Sequence, residues 1–457
     1  MYKKYYLENK RDYKFYAYAC PGTETGDYTL DKTDMGFRTV ERYKEYKDVG
    51  FNMFFSGCSA TYYGEEWQTS MCKRVMDMVQ EAGINEYIVG DQAFYELSCQ
   101  PDGIIGEGKK FASENELDEF VANRIKDYSK HPIFKGIYLK DEPHYYLFKS
   151  FGQICRSLKR VNPSVYVYCN LLPLDTLCWM DERYPQGGDL LERRTKYLEM
   201  FLDETGCDYI LYDDYTFCYA RENKLMLLRC MQDCAALCTK RGVDFKFVAQ
   251  SFSMKICGKE YYWVPNEQEM RYQLNLLLSF GVRELGFFTY MPHGANSTEE
   301  FHNDGAMITR EGKKMPLYYV VQKLIKELLE IIPVVTAFEY KHSAYDVETF
   351  NSYLKQLDYA VNERLTNVES FATDREGVLV NELYDKKNDQ YLYAITNMTD
   401  VRCEEEMGKL QTTAINFDKK FKFADVFMHG KWNKLEIENG ELLVSLLAGE
   451  TAYVLIY

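Results

Sequence analysis

The 457-residue sequence lacks any run of about 18 consecutive apolar residues, so we expect no membrane-spanning helix. Its first ten residues lack the apolar core of a secretory signal peptide. Its 14 cysteines include no Cys-x-x-Cys pair and do not follow the spacing of an extracellular disulfide framework. These absences predict a cytoplasmic protein whose thiols are reduced.

Positive charge is in deficit, because 55 Lys and Arg residues face 70 Asp and Glu residues and leave a net charge of -15. Nucleic acids and anionic membrane surfaces bind basic patches, so the sequence predicts neither as a partner. An acidic protein is compatible with a neutral ligand such as a sugar. The oligomeric state is left open, and an oligomer is compatible with the sequence.

Metal-binding patterns are also scarce. Cys230, Cys234 and Cys238 recur at helical spacing, which fits either a metal site or a row of small residues on a buried helix face. No nearby histidine or Cys-x-x-Cys pair completes a ligand set, so we favour the buried helix face and predict no cofactor.

What the sequence does contain is a large apolar fraction, with 46% hydrophobic residues, and a repeated junction. At each junction a helical pattern ends, a glycine follows, and a strand pattern begins soon after. A glycine suits the left-handed residue just beyond a helix end. The junction glycines are Gly50, Gly83, Gly206, Gly242 and Gly281. Such alternation is typical of a parallel α/β fold.

Eight strands are predicted in the first 335 residues, with helical patterns between them. The strands are Lys14–Cys20, Asn52–Ser56, Glu86–Gly90, Phe134–Lys140, Val165–Tyr168, Asp208–Tyr212, Phe245–Ala249 and Glu284–Phe288. The clearest helical patterns are Trp67–Ala82, Leu190–Glu204, Arg221–Arg241, Met270–Phe280 and Leu317–Ile331. Eight strand–helix units predict a (β/α)8 TIM barrel over residues 1–335, with its active site at the carboxyl ends of the strands.

Beyond Pro333 the pattern changes. From Gly377 the hydrophobic residues follow a period of two, and Asn439-Gly440 is a strong hairpin turn. The predicted strands are Val378–Leu383, Gln390–Thr396, Lys422–Phe427, Lys434–Ile437, Leu442–Leu447 and Thr451–Ile456. We predict an antiparallel β-sandwich domain over residues 336–457, in which Ala344–Asn367 fits helical or irregular structure.

The most informative stretch is Gly136-Ile-Tyr-Leu-Lys-Asp-Glu-Pro143, a strand that ends on two carboxylates. Pro143 stops the strand because it has no N–H to donate, and an amphipathic helix follows. Asp141 and Glu142 either cap that helix or carry chemistry at the carboxyl edge of the sheet. We favour chemistry, since two acids at a barrel strand tip are hard to explain by folding alone.

The predicted tips of the other strands are also rich in acids, amides and aromatic rings. Carboxylates and amides bind sugar hydroxyls and flat rings stack on sugar C–H faces, whereas a phosphate site would need glycine-rich loops and cations. The predicted substrate-binding residues are Asp91, Asp141, Asn170, Tyr215, Gln250, Trp263, Tyr290 and His293. His144 is a further candidate, although both histidines are equally compatible with ordinary loop positions.

The fourth predicted strand resembles that of the clan A glycoside hydrolases, which ends in Asn-Glu-Pro with the Glu as general acid/base. The resemblance implies that Glu142 is the acid/base and that Asp141 replaces the asparagine that contacts a substrate hydroxyl. Asp213-Asp214-Tyr215 resembles the tip of the family's sixth strand, whose tyrosine Tyr215 would match. Phe287-Phe288-Thr-Tyr-Met-Pro292 resembles the eighth strand, although the usual tryptophan is absent.

The seventh strand departs from this family. The family's nucleophile is a glutamate at the end of that strand, where this sequence has Gln250. An amide is a poor nucleophile, so the usual retaining double displacement is not expected here.

Glycoside hydrolysis needs one protonated carboxyl group and a second, ionised one. Burial and the charge of Asp141 would raise the pKa of Glu142 and keep it protonated near neutrality. For the second carboxylate we favour Asp213, then Asp214, with Glu260 as a weaker substitute. A separation of about 6.5–9.5 Å between the two carboxyl groups would give inversion, and about 5–5.5 Å would give retention.

Three functions compete at this point. The leading prediction is a glycosidase that acts on an intracellular oligosaccharide or glycoside. Gln250 favours a second reading, a carbohydrate-binding barrel that has lost catalysis. The third is a divalent-metal-dependent barrel enzyme with Asp141, Glu142, Asp213 and Asp214 as oxygen ligands, and the scarcity of histidine weakens it.

Overall fold

The computed structural model describes residues 2–9, 11–18, 38–56, 62–173, 182–219, 227–292, 301–346, 361–375, 377–402 and 404–457. The strands of its first part are β1 Lys14–Ala17, β2 Phe54–Phe55, β3 Tyr87–Gly90, β4 Phe134–Asp141, β5 Tyr166–Asn170, β6 Tyr209–Asp213, β7 Asp244–Gln250, β8 Ser253–Ile256, β9 Lys259–Tyr262 and β10 Glu284–Phe288. Eight of these form two four-stranded parallel sheets, with the orders β2-β3-β4-β5 and β1-β10-β7-β6. All eight predicted strands are therefore present, with small shifts at their ends.

Helices follow most of these strands, as the alternating pattern predicts. They are α1 Tyr2–Glu8, α2 Val40–Asp48, α3 Met71–Glu81, α4 Gln92–Ser98, α5 Glu114–Ile125, α6 Phe148–Val161, α7 Leu190–Thr205, α8 Leu227–Arg241, α9 Glu267–Ser279, α10 Pro316–Leu328, α11 Ile332–Val335 and α12 Glu404–Met407. Asn266 and Glu269 form a capping box at the start of α9, and Gly206 ends α7 in the left-handed region with a φ of 66°. These local signals fix where the helices begin and end.

The two parallel sheets share one inner core. At one pair of edges, the N–H groups of Asn52 and Met53 donate to the carbonyl of Phe15, and at the other the N–H of Leu171 donates to Leu211. The inner core takes side chains from all eight strands, namely Tyr16, Phe55, Ile88, Tyr138, Tyr168, Leu211, Val248 and Phe288. Three of its tyrosines are linked by hydrogen bonds. The hydroxyl of Tyr168 lies 2.8 Å from the hydroxyl of Tyr16 and donates to the hydroxyl of Tyr18 at 2.9 Å. Strands of both sheets thus contribute to the same aromatic interior.

A small antiparallel sheet stands at the carboxyl end of β7. It consists of β8, β9 and β11 (Phe301–Gly305) in the order β11-β8-β9. No strand is predicted here from the sequence, because strands of four or five residues give too short a pattern to distinguish from irregular chain. This sheet forms one wall of the region where the parallel strands end.

Two antiparallel sheets make up the C-terminal part. Their strands are β12 Glu339–Asp346, β13 Val368–Thr373, β14 Val378–Asp385, β15 Gln390–Asn397, β16 Gln411–Phe417, β17 Phe423–Met428, β18 Lys431–Glu436, β19 Glu441–Leu446 and β20 Thr451–Ile456. One sheet has the order β12-β14-β15-β20-β17-β18 and the other β13-β16-β19. The six predicted strands are present and Asn439-Gly440 is the predicted tight turn, whereas β12, β13 and β16 were not predicted.

The central strands β14, β15 and β20 of the six-stranded sheet are buried on both faces. On one face Val380 and Val454 pack against the three-stranded sheet, and on the other Leu379 and Leu455 belong to the core that surrounds the parallel sheets. Burial of both faces explains why β20 reads as a continuous apolar run instead of following the predicted period of two.

The described residues can be checked for a membrane-spanning helix and for a group of metal ligands. Among the helices that the structure describes, none combines the length and the apolar character needed to cross a lipid bilayer. Cys230, Cys234 and Cys238 lie on the buried side of α8, and within the described ranges no three His, Cys, Asp or Glu side chains are arranged to hold a metal ion.

Candidate active site

An irregularity in β4 decides which way its acidic end points. Tyr138 pairs with Tyr168 of β5, but the next pair is Lys140 with Cys169, so β4 has one extra residue at this point. Such a bulge reverses the alternation of side chains across the strand. Tyr138 faces the inner core, and beyond the bulge Asp141 pairs with the inward-facing Asn170. The bulge therefore turns Asp141 toward the mouth of the inner core.

Glu142 follows in a backbone conformation that non-glycine residues rarely adopt. Its φ is 42°, and its N–H donates to the carbonyl of Asn170 at 2.8 Å. The hydroxyl of Tyr197, on α7, donates to the carbonyl of Pro143 at 2.8 Å and fixes the chain on the other side. Strain of this kind costs about 1–3 kcal/mol and persists only where the surroundings hold it, which is common at functional sites.

Asp213, at the end of β6, completes a group of three acids with Asp141 and Glu142. It is 3% exposed and accepts hydrogen bonds from the Asn170 amide, at 3.0 Å, and from the Tyr215 hydroxyl. Burial and the charge of Asp141 raise the pKa of Asp213 to about 7. Burial, followed by the charges of Asp213 and Asp141, raises the pKa of Glu142 well above its usual range. The group therefore holds protons at neutral pH, as acid–base chemistry requires.

Aromatic rings form a wall beside these acids. The ring of Tyr215 stacks on Phe288, with centroids 5.8 Å apart, and meets Phe252 edge to face at 4.9 Å. Tyr262, on β9, lies 5.8 Å from Tyr215. Carboxyl groups beside flat rings are the combination that a sugar site needs.

A basic residue that the sequence analysis missed lies against Glu142. The Arg183 guanidinium donates from Nη1 to Oε2 of Glu142 at 3.1 Å, and each side chain is 27% exposed. Arg183 lies 41 residues from Glu142 in sequence, outside every predicted strand tip. No local pattern could have indicated the pair, because the contact depends on the path of the chain between β5 and α7.

Three predicted substrate-binding residues are committed to structural contacts. Gln250 is 0% exposed, and its side-chain amide accepts from the N–H of Phe217 at 2.8 Å and donates to the carbonyls of Phe217 and Trp263 at 3.0 and 3.2 Å. Asp91 is 1% exposed, caps α4 and pairs with Arg124 through contacts of 2.8–3.0 Å. Tyr290 is fully buried beside Tyr46, in the core that surrounds the parallel sheets and is called the outer core below. The structure does not bring these three side chains to the acids.

Trp263 and Asp214 are two further predicted site residues, and both have contacts away from the acids. Trp263 follows β9 and points away from Tyr262, with its indole N–H donating to Glu269 at 2.9 Å and its ring 5.0 Å from Tyr219. Asp214 is buried, and its charge acts on Tyr212, whose ring lies in the outer core.

Glu260, His144 and His293 are the remaining predicted residues. Glu260 is exposed on β9. The pKa of His144 is lowered by burial and by the nearby charge of Arg183. His293 lies outside the described residues.

Comparison with known proteins places this architecture among solved structures. No protein-family profile and no curated protein matches the sequence. A structure described as a glycoside hydrolase matches with a TM-score of 0.53 and 8% sequence identity, over 97% of this chain and 92% of that one. A family 39 glycoside hydrolase from the gut symbiont Bacteroides cellulosilyticus matches with a TM-score of 0.46 and 11% identity, over 99% and 82% of the two chains. A β-glucuronidase of Ruminococcus gnavus matches with a TM-score of 0.38 and 14% identity, over 63% and 46%. At these identities the likeness concerns the fold, a mixed α/β architecture with parallel and antiparallel sheets.

Proposed function

We propose that the protein is a glycoside hydrolase in which Glu142 is the general acid and Asp213 is the second carboxylate. One observation carries this proposal: a partly buried and a buried carboxyl group, Glu142 and Asp213, both have raised pKa values and act on each other beside aromatic rings where parallel strands end. The proposed substrate is an intracellular oligosaccharide or glycoside. Two carboxyl groups are sufficient for this chemistry, so no cofactor is required.

We also propose that the two parallel sheets act as one closed barrel over residues 1–335, joined to a β-sandwich domain over residues 336–457. The shared inner core and the hydrogen bonds at both pairs of sheet edges support closure. In such a barrel the carboxyl ends of all eight strands surround one opening, which is where the acids lie.

In the proposed reaction, protonated Glu142 donates its proton to the glycosidic oxygen as the bond to the anomeric carbon breaks. Ionised Asp213 stabilises the positive charge that develops on the sugar and assists its capture. Tyr215 and Asn170 favour the ionised form of Asp213 because both donate hydrogen bonds to it. The Asn170 side-chain oxygen has no hydrogen-bond partner within the described part of the chain, so it offers an acceptor to a sugar hydroxyl.

Stereochemistry follows from what Asp213 does. If it activates a water molecule, the product has the inverted anomeric configuration, and if it attacks the anomeric carbon, the configuration is retained. Gln250 takes no part in either course, because its amide is held by backbone groups. Proton NMR of the first product formed from a substrate of known anomeric configuration distinguishes the two courses.

The experiment that tests the proposal is a screen of aryl glycosides, each with a weakly acidic phenol as leaving group, with the wild type and Glu142→Gln. We expect turnover of at least one glycoside and a loss of about 10²–10⁴-fold in the variant, since general acid catalysis contributes that much. Glu107→Gln, at an exposed position away from the acids, is the matched control and keeps wild-type turnover. Equal turnover by wild type and Glu142→Gln would remove the assignment.

A second candidate is a carbohydrate-binding protein without catalysis. The observation that favours it is Gln250, which stands where the resembling family has its nucleophile and is used to fasten loops. Calorimetry with a panel of sugars, combined with a sensitive product assay, separates the two candidates. Binding without turnover would support this candidate, and measurable turnover that depends on Glu142 would exclude it.

A further inference from the structure

The contact between Arg183 and Glu142 conflicts with the role proposed for Glu142. A general acid must carry a proton before it can donate one. A guanidinium 3.1 Å from a carboxyl oxygen stabilises the ionised form, and Arg183 opposes the rise in the pKa of Glu142. The oxygen that accepts from Arg183 cannot also present a proton to a substrate along that direction.

The position of Arg183 is fixed by its neighbour in sequence. The ring of Tyr184 is fully buried against Tyr197, with centroids 5.1 Å apart, and its hydroxyl donates to the carbonyl of Pro173 at 2.6 Å. Tyr197 in turn holds Pro143, which follows Glu142. The buried side chains of Tyr184 and Tyr197 therefore hold the backbone next to both Arg183 and Glu142. The fold itself thus supports the ion pair.

The charges around Glu142 come from several elements. Asp141 acts on it from the same strand and Asp213 from β6, and both raise its pKa. The phenol groups of Tyr215, beyond β6, and Tyr197, on α7, also lie within range of its charge. Around Arg183 itself, His144 lies within reach of its charge, and Glu182 is the adjacent residue. Arg183 is the cation that faces Glu142 among the described groups that shift its pKa.

We propose that Arg183 is a positioning residue that holds Oε2 of Glu142, leaves the other carboxyl oxygen to carry the proton, and limits by its positive charge how firmly that proton is held. Glu142 passes its proton to the glycosidic oxygen and is left ionised beside the Arg183 guanidinium. Water supplies hydroxide to the anomeric carbon and a proton to the second carboxylate or to solvent, and Glu142 takes up one proton from solvent before the next turnover. This cycle rests on the proposed hydrolase function and adds a control of protonation to it.

The pH dependence of kcat/KM tests the proposal in the active enzyme. The basic limb of the profile reports loss of the proton from the free enzyme's general acid. Arg183→Ala should move this limb to higher pH by about one unit or more, where one unit is a tenfold change in the proton equilibrium. Arg183→Lys should restore much of the wild-type position, because it keeps a positive charge. A uniform loss of activity with an unmoved limb would indicate support of the chain alone and would overturn the proposal.

Thermal unfolding gives a readout that does not depend on hydrolysis. The ion pair stabilises the fold only where Glu142 is ionised, so the loss of Tm caused by Arg183→Ala should grow as pH rises from 5 to 9. In a Glu142→Gln background the same change should cost little at any of these pH values. An equal cost in both backgrounds at pH 9 would contradict the pairing. If no glycoside is hydrolysed, the hydrolase proposal fails. The comparison of Tm values in the two backgrounds still decides whether Arg183 acts on the charge of Glu142.

Discussion

Asp213 shows how the site creates reactivity at the scale of one residue. It is buried and hydrogen-bonded, and its pKa rises to about 7 because burial and the charge of Asp141 outweigh the two donors, Tyr215 and Asn170. Burial, and then the charges of Asp213 and Asp141, also raise the pKa of Glu142. Because the charge of Asp213 acts on Glu142, the two carboxyl groups titrate as a pair and the limbs of a pH profile belong to both.

This arrangement predicts the pH dependence of catalysis. Asp213 must be ionised, so activity should rise as pH increases through about 7. Glu142 must be protonated, so activity should fall again at higher pH, when Glu142 loses its proton. A kcat/KM profile with its maximum near pH 5 would contradict these assignments.

Asp213→Asn should remove the acidic limb of that profile, because the amide does not titrate. We expect kcat to fall by about 10²–10⁴-fold, the usual range for loss of a general base. Tyr215→Phe is the graded comparison, since it removes one donor to Asp213 and should only move the acidic limb to higher pH. An acidic limb that survives in Asp213→Asn would assign it to another group.

Single residues also mark what the sequence could not reveal. The Asp-Glu-Pro stretch identified Glu142 because a strand pattern leads directly into it. Strict alternation from Tyr138 would point Asp141 outward, and only the pairing with β5 shows the bulge that turns it inward. Arg183 was missed because its contact is remote in sequence. Asp91 was assigned to substrate because a carboxylate that caps a helix and pairs with Arg124 looks the same in sequence as a free one.

At the scale of elements, the small sheet beside β7 is fastened by Gln250. The side chain of this residue bonds to backbone groups in the segments after β6 and β9, and its own backbone pairs with the side chain of Gln273 on α9. One amide thereby joins three segments at the edge of the site. An amide can do this because it donates and accepts at once.

Gln250→Glu should therefore destabilise the protein instead of restoring the nucleophile of the resembling family. The carboxylate would face the carbonyls of Phe217 and Trp263, and an unpaired buried charge costs about 3–5 kcal/mol. Chemical denaturation measures the change, and Gln268→Glu, exposed in the first turn of α9, is the control. A stable Gln250→Glu enzyme with increased activity would show that this position does face substrate.

Element order was predictable because parallel strands and their helices carry strong local patterns and glycine ends. The strands β12, β13 and β16 escaped prediction for different physical reasons. The strand β13 is largely exposed, so it lacks an apolar signal, while β12 and β16 hold polar residues such as Ser343 and Thr413 in buried positions. Tertiary contacts, not local pattern, make these segments strands.

At the scale of the whole molecule, the C-terminal sheets make direct contacts with the part that contains the parallel sheets. Asn381, on β14, is fully buried and its amide donates to the Ser279 hydroxyl at the end of α9 at 2.9 Å. The hydroxyl of Tyr453, on β20, donates to the carbonyl of Asn275, also on α9, at 3.1 Å. Together with the shared apolar core, these contacts couple the two parts.

Calorimetry should therefore record one cooperative unfolding transition for the full chain. Asn381→Ala should lower the Tm of that whole transition, since it removes the buried hydrogen bonds between the Asn381 amide and the hydroxyls of Ser279 and Ser343, at a cost of about 1–3 kcal/mol. The exposed Asn9→Ala is the control and should leave the Tm unchanged. Two separated transitions, of which only one responds to Asn381→Ala, would show that the parts unfold independently.

The central claim is that Glu142 delivers the proton to the departing oxygen, and leaving-group dependence tests it most directly. The measurement is kcat/KM of wild type and Glu142→Gln for two glycosides of the same sugar, one with a weakly acidic alcohol and one with a strongly acidic phenol as leaving group. A strongly acidic phenol departs without protonation, so the variant should lose about 10²–10⁴-fold on the first glycoside and far less on the second. An equal loss on both glycosides, or no loss on either, would contradict the account.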